Sequence, residues 1–308
     1  MSIVLPTERR VPTPAPLRGR RASGSRKGSP WQGALFTAPV WFLMLGVGLV
    51  PILVAVYTSL TSENLSEPVT RFVGLDNYRQ TIFNGSFLHS LWVTLLIVGF
   101  GVLVQFPIGY VVAQCLNREP RGYRAIRTIL LIPMLLTPVA LAEAWLMIFN
   151  PSLGVARFLA SPFVDNPDWL GSPTLAFVVL LFVNAWINVP FVMIMVLAGL
   201  ASVQQELLEA AQVDGASGWM MTRYIVLPLL RPVLTVTLLV RVIADFQMFD
   251  LVYVLTGGGP GTVTTNLPYL AYRDTFVFYT TGAGASVAVA MAIVTVPLYF
   301  AFVRLTKV

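Results

Sequence analysis

The sequence predicts an all-α integral membrane protein with six transmembrane helices. Two observations carry that expectation. Of 308 residues, 56% are hydrophobic and only 11% charged, whereas a soluble domain usually carries about a quarter charged residues; this chain has too little charge to cover a water-facing surface. The apolar residues also gather in runs of the length that a bilayer core demands, about 20 residues each. Lipid offers the backbone no hydrogen-bond partners, so each spanning run must pair its own N–H and C=O groups and form a helix.

Taken in order, residues 1–32 mix Pro, Gly, Ser and Arg and are expected to form a disordered basic cytoplasmic tail, too polar to bury a core. They lack the apolar core of a cleavable signal peptide, and the first apolar run, after Trp31, is long enough to span. Residues 33–308 are expected to form one transmembrane domain, with spans near 34–60, 89–116, 125–149, 173–200, 230–255 and 283–303. Pro51, Pro107, Pro133, Pro138, Pro190 and Pro297 fall inside these runs. They argue against soluble helices and are tolerated in packed membrane bundles.

Lys and Arg set the orientation. The tail holds Arg9, Arg10, Arg18, Arg20, Arg21, Arg26 and Lys27; the second-to-third loop holds Arg118, Arg121, Arg124 and Arg127. Arg223 and Arg231 flank the fourth-to-fifth loop, and Arg304 and Lys307 end the chain. The opposite side has only Arg71, Arg79, Arg157 and Arg273, and Arg241 lies within a span. The positive-inside rule therefore places both termini and the loop 201–229 in the cytoplasm of a multi-pass protein. A net charge of +6 placed in a tail and short inner loops suits anionic lipid, not nucleic acid.

Several chemistries are excluded. Cys115 is the single cysteine and His89 the single histidine, so neither an internal disulfide nor a metal site is expected. There is no G-x-x-x-x-G-K-[ST] phosphate loop; the run Gly257-Gly258-Gly259-Pro260-Gly261 has no following lysine and reads as a tight turn on the outer side. With no nucleophile–base–acid set, no enzyme activity and no cofactor are expected in the chain itself. Energy must come from a partner or a gradient.

Polar groups inside spans are costly and are functional candidates by default. Asn184, Asn188 and Phe191 fall at i, i+4 and i+7 of the fourth span, and Arg241, Asp245 and Met248 repeat that spacing in the fifth. Each trio shares one helix face, with amides, charge and an aromatic ring that suit a hydroxylated ligand. The alternative is helix-to-helix bonding, in which Arg241 and Asp245 pair with each other. Gln247 and Asp250 fall off this face and are expected to tie the fifth helix to its neighbours; Glu143 could face the pathway or pair internally.

Between those spans lies a polar loop. Glu206 to Val213 reads as a short helix and Asp214-Gly215 as a turn, with Asp214 expected to cap a second helix. Small Ala210 and Ala211 permit close approach to a partner. Leu207, Leu208, Trp219, Met220 and Met221 offer apolar anchors, and Glu209 an acceptor for a basic group on a partner or in its own loop. Residues 204–215 carry Glu206, Glu209 and Asp214 and no base, the opposite of what an anionic leaflet attracts. A protein partner is expected.

Glu209-Ala210-Ala211, then Gly215, Ile225 and Leu227-Pro228, resembles the EAA signature of importer-type ABC permeases. Pro190-Phe191 and Leu197-Ala198-Gly199-Leu200 before it, and Phe249-Asp250 through Leu255-Thr256-Gly257-Gly258-Gly259-Pro260 after it, are similar to carbohydrate-uptake permeases of the maltose and glycerol-3-phosphate type. The resemblance implies a bacterial inner-membrane permease with a cytoplasmic coupling helix between the fourth and fifth spans. It implies a second, related permease, two ATPase subunits that bind ATP and Mg, and an extracytoplasmic solute-binding protein. Its cargo would be a sugar or sugar-like solute, a phosphodiester or amino sugar included because of Arg241 and Asp245. The alternatives are a gradient-driven secondary carrier, for which no internal repeat is seen, an importer of a non-carbohydrate polar solute, and a scaffold that only anchors an ATPase.

Overall fold

The computed structural model describes residues 30–66, 69–83, 85–162 and 167–305. It comprises two units, divided between Pro51 and Ile52. The first holds α1 (Pro30–Met44), a π-helical turn, Leu45–Leu49, and the first two residues of α2 (Val50–Ser59), whose remainder belongs to the second. The expected tail lies outside the described residues except for Pro30, Trp31 and Gln32, which open α1. Thr37–Ser59 is long and apolar enough to cross a membrane, and Val40 to Val50 are exposed.

The second unit contains α3 (Asp76–Phe83), α4 (Ser86–Asn117), α5 (Tyr123–Leu135), α6 (Pro138–Ile148), α7 (Val155–Ala160), α8 (Pro173–Ala201), α9 (Gln205–Val213), α10 (Gly218–Met221), α11 (Leu227–Phe246), α12 (Leu267–Tyr272) and α13 (Thr281–Leu305). The fold class is all-α, as expected; the isolated bridge between Thr61 and Phe72 is the extended pairing seen among the described residues. Besides Thr37–Ser59, α4, α8 and the continuous helix Gly218–Phe246 are long and apolar enough to span.

Two expected spans take a different form. The run 125–149 is not straight: α5 and α6 meet at 99°. Thr137 is extended and its Oγ1 caps α6 by accepting the Ala140 N–H; the following Pro138 disfavours a helical conformation at Thr137. The run near 230–255 is shifted, because its helix starts at Gly218, inside the polar loop, and ends at Phe246. A separate π-helical turn, Val252–Thr256, follows and is closed by Gly257 at φ +56°. α13 is apolar over a shorter stretch, Thr281–Pro297, so the count of six spans stays an expectation.

Between membrane helices the driving force is close packing, not the hydrophobic effect. α4 and α8 form the spine. Val93 and Ile97 pack with Val179, Leu180 and Val183 toward one end. Ala113 and Leu116 pack with Val192, Met193, Val196 and Leu230 toward the other. A third cluster joins Phe87, Phe246, Leu267, Leu270 and Val287. Glycine permits the closest approaches: a Cβ on Gly109 would stand 2.7 Å from the Val192 side chain, and one on Gly199 2.6 Å from Leu230 Cδ2.

The glycine run is more than a turn. Gly257, Gly258 and Gly261 have the expected positive φ, but the segment is then pinned by fully buried threonines and an asparagine. Thr264 Oγ1 donates to Gly259 O at 2.9 Å and Thr265 Oγ1 to Gly258 O at 3.0 Å. Asn266 Nδ2 donates to Met248 O, and Thr94 Oγ1 of α4 accepts the Leu267 N–H at 3.0 Å.

Two alanine substitutions in one helix test this packing. Gly99 has nothing within 4 Å of a built Cβ, so Gly99→Ala should stabilise by the helix-propensity gain of up to about 1 kcal/mol. At Gly109 the same gain is outweighed by overpacking of about 1–3 kcal/mol. Thermal melting of the purified subunit in detergent should rise for Gly99→Ala and fall for Gly109→Ala; equal shifts would show that the α4–α8 contact does not limit stability.

Candidate functional site

Five side chains from three helices meet in the apolar interior of the second unit. Gln105 comes from α4, Asn184 and Asn188 from α8, Arg241 and Asp245 from α11. All but Asn188, which is half-buried, are buried. Helical spacing of four residues stacks Asn184 with Asn188 and Arg241 with Asp245 on facing stripes that run in opposite directions, so Asn188 meets Arg241 and Asn184 meets Asp245.

Arg241 holds the group together. Its Nε donates to Gln105 Oε1 at 2.9 Å and its Nη1 to Asn188 Oδ1 at 2.8 Å. Its Nη2 donates to Asp245 Oδ1, closing an ion pair within α11. Asn184 Nδ2 also donates to Asp245 Oδ1, at 3.2 Å. Asn188 Nδ2 donates back to Asn184 O and Oδ1, both at 2.8 Å. Asp245 Oδ2 and Gln105 Nε2 lie close without meeting hydrogen-bond geometry. Gly101 of α4 makes room for them, since a Cβ there would strike Asp245 Oδ2.

One edge of the network opens on a cavity of about 330 Å³ lined by Asn184, Asn188, Arg241, Asp245, Met248 and Phe249, among others. Five of the six residues expected to line a pathway are therefore together. Phe191 is not; it is half-buried and outside the lining, because its position seven residues along α8 carries it beyond the cavity. Gln247 and Asp250, expected to lie off this face, are exposed on the cavity wall. The helical period on which that expectation rested stops at Phe246, and the chain then folds over the opening. Pro138, at the α5–α6 break, lines it too. Glu143 is exposed and does not line it. Gln105 was missed in the sequence, although an amide in the middle of an apolar run is the same signal that marked the asparagines.

A larger cavity of about 610 Å³ lies between α4, α5 and α8, lined by Phe100, Ile108, Phe182, Trp186 and other apolar residues. It has no polar side chain with which to recognise a hydrophilic solute. Among the described residues no group of acids, histidines and cysteines could hold a metal ion.

The polar loop forms two helices separated by a turn. α9 presents Leu207, Glu209, Ala210 and Val213 outward, half-buried Leu208 packs on the core below, and Gly215 turns the chain at φ +80°. Trp219, on α10, is 71% exposed. Two details differ from expectation. Asp214 ends α9, its N–H donating to Ala210 O and Gln212 O, and α10 is capped by Ser217, whose Oγ accepts the Met220 N–H at 3.3 Å. The second helix starts three residues later than a cap at Asp214 would place it. Within its own loop Glu209 accepts a bond of 3.0 Å from the neutral Gln205 Nε2, which leaves the expected basic group to a partner. Ile225 lies in the π-helical turn Thr222–Val226, and Leu227 and Pro228 start α11, so α10 is rigidly joined to the helix that carries Arg241 and Asp245.

Long apolar helices, a broken span and an exposed double-helix loop define a multi-helix membrane protein. Residues 105–308 match the family described as binding-protein-dependent transport system inner membrane component, and the chain belongs to that family. It is 35% identical over 242 residues to the trehalose/maltose transport system permease protein MalF of Thermococcus litoralis, covering 78% of this chain and 82% of that protein. It is 34% identical to the trehalose transport system permease protein SugA of Mycobacterium tuberculosis, covering 92% and 91%, and 30% identical to the sn-glycerol-3-phosphate transport system permease protein UgpA of Agrobacterium fabrum, covering 86% and 90%. The fold matches a chain of a bacterial ABC transporter that imports the acidic polysaccharide alginate, with a TM-score of 0.77 at 22% identity, over 90% of this chain and 95% of that one. The protein is thus a multi-pass inner-membrane permease subunit of an ABC transport system and not an enzyme. Membership sets aside the gradient-driven carrier.

The ion pair can be tested apart from transport. Leaving one buried charge without its partner costs about 3–5 kcal/mol, while replacing both with apolar groups is often neutral. Arg241→Met and Asp245→Leu should each lower the melting temperature of the subunit, and the double variant should recover most of the loss. Additive losses would mean that the pair is not a unit.

Proposed function

We propose that this chain is one of two related permeases of an ATP-driven importer for a neutral sugar, and that the cavity bordered by Arg241 and Asp245 is its share of the solute path. Ligand arrives on an extracytoplasmic binding protein, two ATPase subunits bind ATP and Mg in the cytoplasm, and Gln205–Met221 docks on one of them. Both termini are cytoplasmic, and residues 249–280 lie on the outer side. What carries the reading is the continuity of the helix Gly218–Phe246: its first turn belongs to the exposed loop and its last turns to the cavity. At 1.5 Å per residue, Gly218 and Arg241 are about 35 Å apart on one rigid element. Rotation of the loop on nucleotide binding therefore reaches the cavity wall without slack, and α8, joined to α9 by only a few residues, moves the opposite wall.

The electrostatics favour a neutral cargo. Arg241 gives three of its five N–H donors to Gln105, Asn188 and Asp245 and its charge is paired with Asp245, so among the described residues lining the cavity no unpaired cation faces a phosphate. Exposed Gln247 and Asp250 offer an amide that can donate to and accept from hydroxyls and a carboxylate that accepts from them. The trehalose- and maltose-named relatives agree with that chemistry better than the glycerol-3-phosphate-named one. Titrating the cognate binding protein with trehalose, maltose and sn-glycerol 3-phosphate should raise its melting temperature for a disaccharide. A rise for sn-glycerol 3-phosphate alone would contradict a neutral cargo.

Coupling has its own test. Gly215→Pro cannot keep φ at +80° because proline fixes φ near −65°, and Glu209→Lys reverses charge on the exposed face of α9. Both variants should insert normally yet lose ATPase subunits in pull-down and lose uptake in proteoliposomes. Normal uptake by both would refute docking through this loop.

A further inference from the structure

A chain of aromatic rings leads away from the cavity. Phe249 lines the cavity and stacks on Tyr253, with centroids 5.3 Å apart and planes 16° apart. It also meets Tyr272 at 5.1 Å. Tyr253 and Tyr272 are themselves 5.1 Å apart, and Tyr272 continues to Phe276 at 5.4 Å. The two ends differ in exposure, Phe249 being half-buried and Phe276 60% exposed; between them Tyr253 is 45% exposed and Tyr272 half-buried.

Tyr253, Tyr272 and Phe276 lie outside the core clusters, whereas Tyr269 packs against one of them. In α12 the buried face is apolar, with Leu267 and Leu270 at 0% and 1% exposure, and Tyr269 and Tyr272 stand on the other face. Nor are they loose. Asn266 caps α12 by accepting the Tyr269 N–H at 3.1 Å and donates to Met248 O, the residue before Phe249. The adjoining Leu267 N–H is tied to Thr94 of α4. One asparagine thus fixes the end of the ladder at the cavity to the helix that carries its middle.

From this geometry we propose that Tyr253, Tyr272 and Phe276, continuing from Phe249, form a stacking ledge that carries a pyranose from the outer side to the cavity. A sugar ring is polar at its rim and apolar on its C–H faces. Phe249 and Tyr253 lie nearly parallel, while Tyr272 is tilted by 60° to Phe249 and 74° to Tyr253 and Phe276 by 37° to Tyr272. Neighbouring rings about 5 Å apart therefore turn faces and edges in succession to the apolar side of the sugar, while its hydroxyls keep contact with water and then with Gln247 and Asp250. No single ring holds the ligand deeply, which is what a path needs in contrast to a trap. The inference rests on the sugar reading above and adds a second, outer contact surface to it.

The experiment uses the complete complex in proteoliposomes, with its binding protein, second permease and ATPases, and radiolabelled trehalose as probe. Tyr272→Leu and Phe276→Leu keep apolar bulk but remove the π-face; Tyr272→Phe and Phe276→Trp keep a ring. Trehalose moved per ATP hydrolysed should fall about tenfold in the leucine variants, the scale of one stacking contact, and recover with a ring. Stimulation of ATP hydrolysis by liganded binding protein should persist in all four. Wild-type stoichiometry in the leucine variants would overturn the ledge. So would loss of ATPase stimulation in step with transport, which would make these rings a contact with the second permease or a structural prop. If the wild-type complex moves no trehalose and its binding protein takes no disaccharide, the sugar reading fails first and is recognised by failing without any substitution.

Discussion

A guanidinium and a carboxylate buried among apolar helices impose the constraint on which the rest of this structure depends. Neither Arg241 nor Asp245 could remain charged there alone, since an isolated ion in a low-dielectric interior costs several kcal/mol even after relaxation. Their mutual pairing repays only part of that. The remainder comes from Gln105 and Asn188 accepting from Arg241 and from Asn184 donating to Asp245. The cost of the charges therefore fixes the register of α4, α8 and α11 more tightly than apolar packing, which tolerates sliding. Glycine at position 101 follows from the same need, because any larger residue would displace the carboxylate.

That register has a consequence for motion. α11 is continuous with α10, and α8 with the approach to α9, so the walls of the cavity are the far ends of the two arms of the exposed loop. A network that locks the arms to one another near the cavity lets them pivot as a pair. Beyond α11 a different device operates. The segment is pinned by buried threonines and by Asn266, which ties Phe249 and the rings beyond it to the rest of the fold.

Much of this was legible in the residues themselves. Apolar run length identified membrane helices, and the spacing of Asn184, Asn188, Arg241 and Asp245 put them on facing stripes because helical periodicity is indifferent to tertiary context; Met248 reaches the cavity although it lies past the end of its helix. The same periodicity failed where the helix stopped: Gln247 and Asp250 line the cavity only because the chain breaks at Phe246, and Phe191 was carried past it. The bend at Thr137–Pro138 and the cap at Ser217 were missed for a related reason. Proline was read as tolerated when it was decisive, and Asp214 was chosen as a cap by residue type before the length of the turn was known. Gln105 was overlooked because it stands alone in its helix, and its partners lie well over a hundred residues away in sequence.

The central claim is that the Arg241–Asp245 cavity is a solute path whose exposure is set by nucleotide at the cytoplasmic loop. Replacing Cys115, the single cysteine, by serine and introducing Gln247→Cys places one thiol on the cavity wall. Its labelling by a membrane-impermeant reagent added outside, in the assembled transporter, follows access directly. The account predicts that the labelling rate changes several-fold between the nucleotide-free complex and the complex trapped with a non-hydrolysable ATP analogue. A rate indifferent to nucleotide, with the ATPases shown to be bound, would contradict it.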